Sequence, residues 1–170
     1  MKAMTTDVPG VAMIPVRYEP MLELSREGEI LELMAALYRE DPSSVSPDPA
    51  KFPETLRRFL DCPTAGRTML FLRESELVGY ALLVPYWSNE YGGNLVFIDE
   101  LYVVPAARNG GIARSFFRFL ERTRPFAGVS AALETTPGNL AARRLYQRVG
   151  FNVRSNATWI CRWSATGLMP

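Results

Sequence analysis

The stretch Val103-Val104-Pro105-Ala106-Ala107-Arg108-Asn109-Gly110-Gly111-Ile112-Ala113 sets an apolar run, an arginine, a glycine pair and the start of helical periodicity in direct succession. The chemistry such a junction suits is anion binding. The first backbone N–H groups of a helix have no intrahelical partner and lie at its positive dipole end. Glycine removes the Cβ that would hold a phosphate away from them, and Arg108 can add a charge-assisted contact. A plain turn between Asn109 and the helix accounts for the same glycines, because Asn-Gly is a common turn former. Two phosphate motifs are missing. GxxxxGK followed by Ser or Thr occurs nowhere, and Gly110-Gly111-Ile112-Ala113 lacks the GxGxxG spacing.

Composition narrows the remaining chemistry. The chain has no histidine, which excludes a Ser-His-Asp triad, an HExxH metalloprotease and a histidine general base. Cys62 and Cys161 stand apart without a CxxC pair, so no metal site is expected and both are read as reduced thiols. With 48% hydrophobic and 22% charged residues, the 170-residue chain is expected to form one soluble domain over residues 1–170, with residues 1–10 a loose start. A net charge of +1 gives no reason to expect nucleic acid as a partner. Neither a signal peptide nor a transmembrane run is evident, so a cytoplasmic location without membrane contact is expected.

The elements that must position the loop follow from periodicity. A first strand is expected in VAMIPVRY (11–18), with Pro15 marking an edge or a bulge. Helices are expected over about 28–39, where Ile30, Leu33, Met34 and Leu37 recur at helical spacing, and over about 49–60. Between them DPSSVSPDP (41–49) reads as a loop. Strands follow in TMLFLRE, LVGYALLVPYW and LVFIDELYVVP. Ile112, Ala113, Phe116, Phe117 and Leu120 mark a helix, VSAALETT a strand, and NLAARRLYQRVG a short helix capped by Gly150. The tail FNVRSNATWICRW alternates enough for one or two last strands. This order predicts a mixed α/β sheet covered by helices.

The stretch resembles the acetyl-CoA loop of the GNAT N-acetyltransferases, in which an arginine or glutamine precedes a glycine, an aliphatic residue and glycine or alanine. Arg108, Asn109, Gly110, Gly111, Ile112 and Ala113 match it, and Val103-Val104-Pro105 matches the preceding strand end. A second match lies downstream, where Asn139 opens a helix carrying Ala142 and Tyr146 and closing on Gly150-Phe151. The likeness is clearest over residues 68–152. It implies a mostly antiparallel α+β sheet with one splayed strand pair, flanked by helices, and acetyl-CoA as co-substrate. The acidic pair before Leu101-Tyr102-Val103 is similar to that of polyamine-type and related small-amine acetyltransferases.

Acetyl transfer to an amine needs a neutral nucleophile, donors for the developing oxyanion and a proton for the leaving thiolate. The resemblance implies a ternary complex without a covalent enzyme intermediate, and Tyr146 as the acid beside the sulfur. It also implies Asp99 or Glu100 as base or cation holder, and backbone groups of Leu101, Tyr102 and Val103 along the pantetheine arm. Asn139 joins Arg108–Ala113 as a cofactor contact. Glu134 is a third acidic candidate. Tyr86, Trp87 and Tyr91 can line an acceptor pocket, since aromatic faces attract cations. Each also has an ordinary reading: Tyr146 as a core tyrosine, the acids as solvated carboxylates, and the aromatics as packing or as a contact in the homodimers frequent among relatives. A protein or peptide amine, or a non-catalytic acyl-CoA-binding domain, remain alternatives to a small amine.

Overall fold

The computed structural model describes residues 15–42, 45, 47–155, 163–164 and 167–168. The expected loose start over residues 1–10 lies outside them. Strand β1 (Val16–Pro20) opens the described chain, and the expected residues 11–14 of that strand again lie outside. Helix α1 (Glu27–Glu40) buries Ile30 and Met34 along its predicted stripe. Helix α2 (Phe52–Asp61) carries Pro53 in its first turn, where a missing N–H costs nothing, and buries Phe52 and Leu56. Strands β2 (Arg67–Arg73), β3 (Glu76–Ser88) and β4 (Gly93–Val103) form a meander. Helix α3 (Ile112–Thr123), strand β5 (Ser130–Leu133) and helix α4 (Leu140–Arg148) complete the order.

One sheet, ordered β1-β2-β3-β4-β5, carries the fold. The first three pairings are antiparallel, and β5 joins β4 in parallel across the α3 crossover. On one face α3 packs Ile112, Phe116, Phe117 and Leu120 against Met69, Phe71, Ala81, Leu83, Val96 and Ile98. On the other, α1 and α2 bring Ile30, Met34, Phe52 and Leu56 onto Leu70, Leu72, Tyr80, Leu82 and Tyr102. These alternating inward positions are what the strand patterning predicts.

Only the two ends of the expected tail strands lie within the described residues. Residues 151–155 form no strand, and 156–162 lie outside the described residues. Strands β6 (Trp163–Ser164) and β7 (Gly167–Leu168) pair only with each other. Alternation builds a strand only where one face finds cover, and Val153 is 79% exposed. Cys62 is an exposed free thiol, whereas Cys161 falls outside the described residues.

One charged side chain is buried in the α1/α2 layer. Glu100 is 6% exposed and accepts hydrogen bonds from the Tyr38 and Tyr80 hydroxyls, both at 2.6 Å. Burial raises its pKa, and the two hydroxyls offset this only in part. The folded protein therefore keeps this proton at a pH where the unfolded chain has lost it. The stabilisation is fully present below an unfolded value of about 4.3 and is lost as pH rises through the raised folded value. In urea unfolding from pH 4 to 7, wild type should lose stability relative to Glu100→Gln, whose amide does not titrate. Parallel pH curves for the two proteins would contradict this.

Candidate active site

The site begins where the sheet comes apart. The parallel ladder between β4 and β5 runs from Leu95↔Ser130 to Ile98↔Leu133 and ends there, while β4 continues to Val103. At the same point β4 carries a bulge. Leu82 pairs with Glu100 and Leu83 with Ile98, which leaves Asp99 as the extra residue. Without it, Glu100 would share a face with Val96 and Ile98 and enter the α3 layer. The bulge instead sends Glu100 and Tyr102 toward α1 and α2, and leaves Leu101 and Val103 against the α3 layer.

The acidic pair is thereby divided. Glu100 is spent on Tyr38 and Tyr80. Asp99 stays exposed at the apex of the splay. Protein crowding one side of its carboxylate, then the charge of Glu134, raises its pKa. Glu134 follows Leu133, the last paired residue of β5, so one carboxylate stands on each arm of the opening.

Beyond the apex, one edge of β4 faces no strand among the described residues. The Val104 N–H donates to the Val78 carbonyl at 3.0 Å, so antiparallel alternation commits the Tyr102 backbone to β3 and turns Leu101 and Val103 outward. Of the three residues expected to offer backbone groups, Leu101 and Val103 turn theirs to the open edge and Tyr102 does not. The Val103 carbonyl already accepts from Arg108 Nε at 2.8 Å.

The Arg108 side chain is held back against the strand, which differs from the phosphate contact expected of it. Its Nη2 donates to Glu40 at 2.6 Å, and its guanidinium lies 5.3 Å from the Tyr102 ring centre. What the loop could offer an anion is therefore its backbone. Asn109 (φ 64°) and Gly111 (φ 75°) are both left-handed, with Gly110 between them, and left-handed residues within a turn are a recurrent part of backbone anion-binding concavities. Helix bonding starts with Ser115 N–H to the Gly111 carbonyl, leaving the N–H groups of Ile112, Ala113 and Arg114 without an intrahelical acceptor. A Cβ on Gly111 would meet nothing within 4 Å, so the space before the helix is open to a ligand. Tyr18 of β1 donates to the Ile112 carbonyl at 2.8 Å and buttresses this first turn. An anionic ligand such as the pyrophosphate of coenzyme A fits this backbone.

Helix α4 supplies the tyrosine. Asn139 caps it by accepting from Ala142 N–H at 3.1 Å, and its Nδ2 donates to Asp41 at 2.7 Å. Its amide is thus engaged within the protein. At the other end Gly150 (φ 100°) closes the helix, with Phe151 N–H bonded to the Tyr146 carbonyl at 2.9 Å. The Tyr146 ring meets Phe117 and Phe151 edge-on, 5.8 and 6.0 Å between centres. Burial, then the Asp41 charge, pushes its pKa up to about 12.

Other expected residues lie elsewhere. Tyr86 and Trp87 are 49% and 66% exposed and pair with Leu95 and Asn94, before the apex of the splay. Trp87 donates to Asn89, and Tyr91 lies beneath Arg154, which is paired to Glu90. The residues that sequence reasoning passed over are Tyr38 and Tyr80, which hold Glu100, Glu40, which holds Tyr102 and Arg108, and Asp41, which holds Thr136 and Asn139. Among the described residues no helix is long and apolar enough to cross a membrane.

Comparisons with known proteins agree with this architecture. Solved structures share it at low identity. A possible acetyltransferase from Clostridium difficile matches with a TM-score of 0.72 and 16% identity, covering 85% of this chain and 95% of that one. A ribosomal-protein-alanine N-acetyltransferase from Brucella melitensis gives 0.66 and 19%, covering 88% and 100%. An aminoglycoside N-acetyltransferase, AAC(6')-Iy, in complex with CoA gives 0.70 and 16%, covering 90% and 97%. No curated protein sequence matches the chain. The model of the Acetyltransferase (GNAT) family matches residues 31–151, from α1 through the closing Gly150-Phe151. The chain therefore belongs to the GNAT family and is an acetyl-CoA-dependent N-acetyltransferase.

Proposed function

We propose that the chain acts as one catalytic domain, in the cytoplasm, that transfers acetyl from acetyl-CoA directly to the primary amine of a small molecule. The observation that carries this reading is the apex of the splay. An exposed carboxylate with a raised pKa stands there on the bulge, with a second carboxylate on the opposite arm. Acetyl-CoA supplies an acetyl group activated as a thioester. The backbone N–H groups of Asn109 to Ala113 bind its pyrophosphate, and the outward groups of Leu101 and Val103 orient its pantetheine arm.

Asp99 and Glu134 attract the ammonium form of the acceptor to the apex. Asp99 then takes the amine proton, since a raised pKa brings a carboxylate closer to that of a useful base. Glu100 has no such freedom, because both of its oxygens accept tyrosine hydroxyls inside the α1/α2 layer. Tyr146, with its pKa at about 12, remains protonated at neutral pH and donates its proton to the departing sulfur. No enzyme nucleophile is required.

Calorimetry tests the donor. Acetyl-CoA should bind with a Kd in the micromolar range, while ATP and NAD should not bind. Gly111→Val should weaken acetyl-CoA binding at least tenfold, because a branched residue both resists φ 75° and fills the open space. Undiminished binding would remove the loop from the site. Thiol release against a panel of small amines and peptides identifies the acceptor. With that substrate, Tyr146→Phe should lower kcat by about 10²-fold, within the usual range for general acid–base catalysis. The log kcat/KM of wild type should rise with pH through the raised Asp99 pKa, and that limb should vanish in Asp99→Asn. Retention of the limb would rule Asp99 out as the base.

A further inference from the structure

The end of helix α1 touches both arms of the splay. Glu40, its last residue, accepts from the Tyr102 hydroxyl at 2.5 Å and from Arg108 Nη2 at 2.6 Å. Both donors belong to the β4 arm, one on the strand and one opening the anion-binding loop. Asp41, the next residue, accepts from the Thr136 hydroxyl and from Asn139 Nδ2, each at 2.7 Å. Both of these donors belong to the arm that runs from β5 to the cap of α4. Neighbouring carboxylates thus use all four oxygens, two on each side of an opening that no strand pairing among the described residues spans beyond Ile98↔Leu133.

Helix physics alone would not put them there. A helix C-terminus is the negative end of the dipole and favours cations, so two consecutive carboxylates at that end work against α1. Their four donors come from distant parts of the chain, and each donor is tied to the loop, the strand or the cap described above. We propose that Glu40 and Asp41 form a clasp that sets the opening of the cofactor cleft, Glu40 holding the β4 arm and Asp41 the β5–α4 arm. Both are positioning residues. Glu40 acts through Arg108 on the loop, and Asp41 acts through Asn139 and Thr136 on the helix that carries Tyr146. The Asp41 charge also reaches Tyr146, in keeping with a shared setting.

The clasp rests on the reading of residues 108–113 as the coenzyme A loop, and CoA itself is the probe. Calorimetry on the full chain should show that Glu40→Gln weakens CoA binding five- to twentyfold. Asp41→Asn and Thr136→Val, which do not contact the loop, should weaken it by a similar factor. The Glu40→Gln/Asp41→Asn double variant should bind little worse than its poorer parent, because one released arm already frees the opening. Leu56→Val, a core truncation in the α1/α2 layer, should lower Tm without changing CoA affinity, which separates the clasp from general loss of stability. Wild-type CoA affinity in Asp41→Asn and Thr136→Val, or losses that multiply in the double variant, would overturn the clasp. If Asp41→Asn does not fold, Thr136→Val decides by the same criterion. Wild type that binds no CoA at millimolar concentration would overturn the loop assignment and the clasp with it, whereas normal binding in both variants removes the clasp alone.

Discussion

A single inserted residue organises this molecule. Strand β4 gains Asp99 at the level where its parallel ladder with β5 ends, and three consequences follow together. The strand bends, its side-chain parity reverses, and among the described residues the edge beyond faces no strand. Reversed parity carries Glu100 into the α1/α2 layer and Tyr102 toward Glu40, while the open edge exposes the backbone of Leu101 and Val103. The loop from Arg108 to Ala113 then takes its position from the strand end that Tyr102 and Arg108 hold through Glu40.

Much of the fold was legible because its signals are local. The stripe Ile30, Leu33, Met34, Leu37 and the set Ile112, Phe116, Phe117, Leu120 lie within single helices, where spacing alone decides the buried face. The cap at Asn139 and the closure at Gly150 are local as well. The tail shows the complementary case at its described start. Residues 151–155 follow the alternating pattern yet form no strand, and Val153 is 79% exposed among the described residues.

The site was legible as a set of residue types but not as an arrangement. Asp99 and Glu100 are neighbours in sequence, and pattern reading could say only that they face opposite ways. Which one enters the interior depends on the bulge, a property of the pairing with β3. Tyr38 reaches Glu100 across 62 positions, and Asn139 reaches Asp41 across 98. No window of periodicity spans such distances. The segment beginning at Asp41 read as a turn-rich loop, so its first residue carried no sign of its partners in α4.

Arg108 has a consequence for how the cofactor is drawn in. Its guanidinium is neutralised by Glu40 and folded over Tyr102, and the chain as a whole carries a net charge of only +1. On the proposed reading, what the loop itself then offers an anion is its oriented N–H dipoles, which act at short range. Interactions of that kind are little affected by a Debye length of about 8 Å at physiological ionic strength, unlike a cluster of free cations acting through solvent. On that reading the loop's own hold on the donor depends on fit more than on long-range steering.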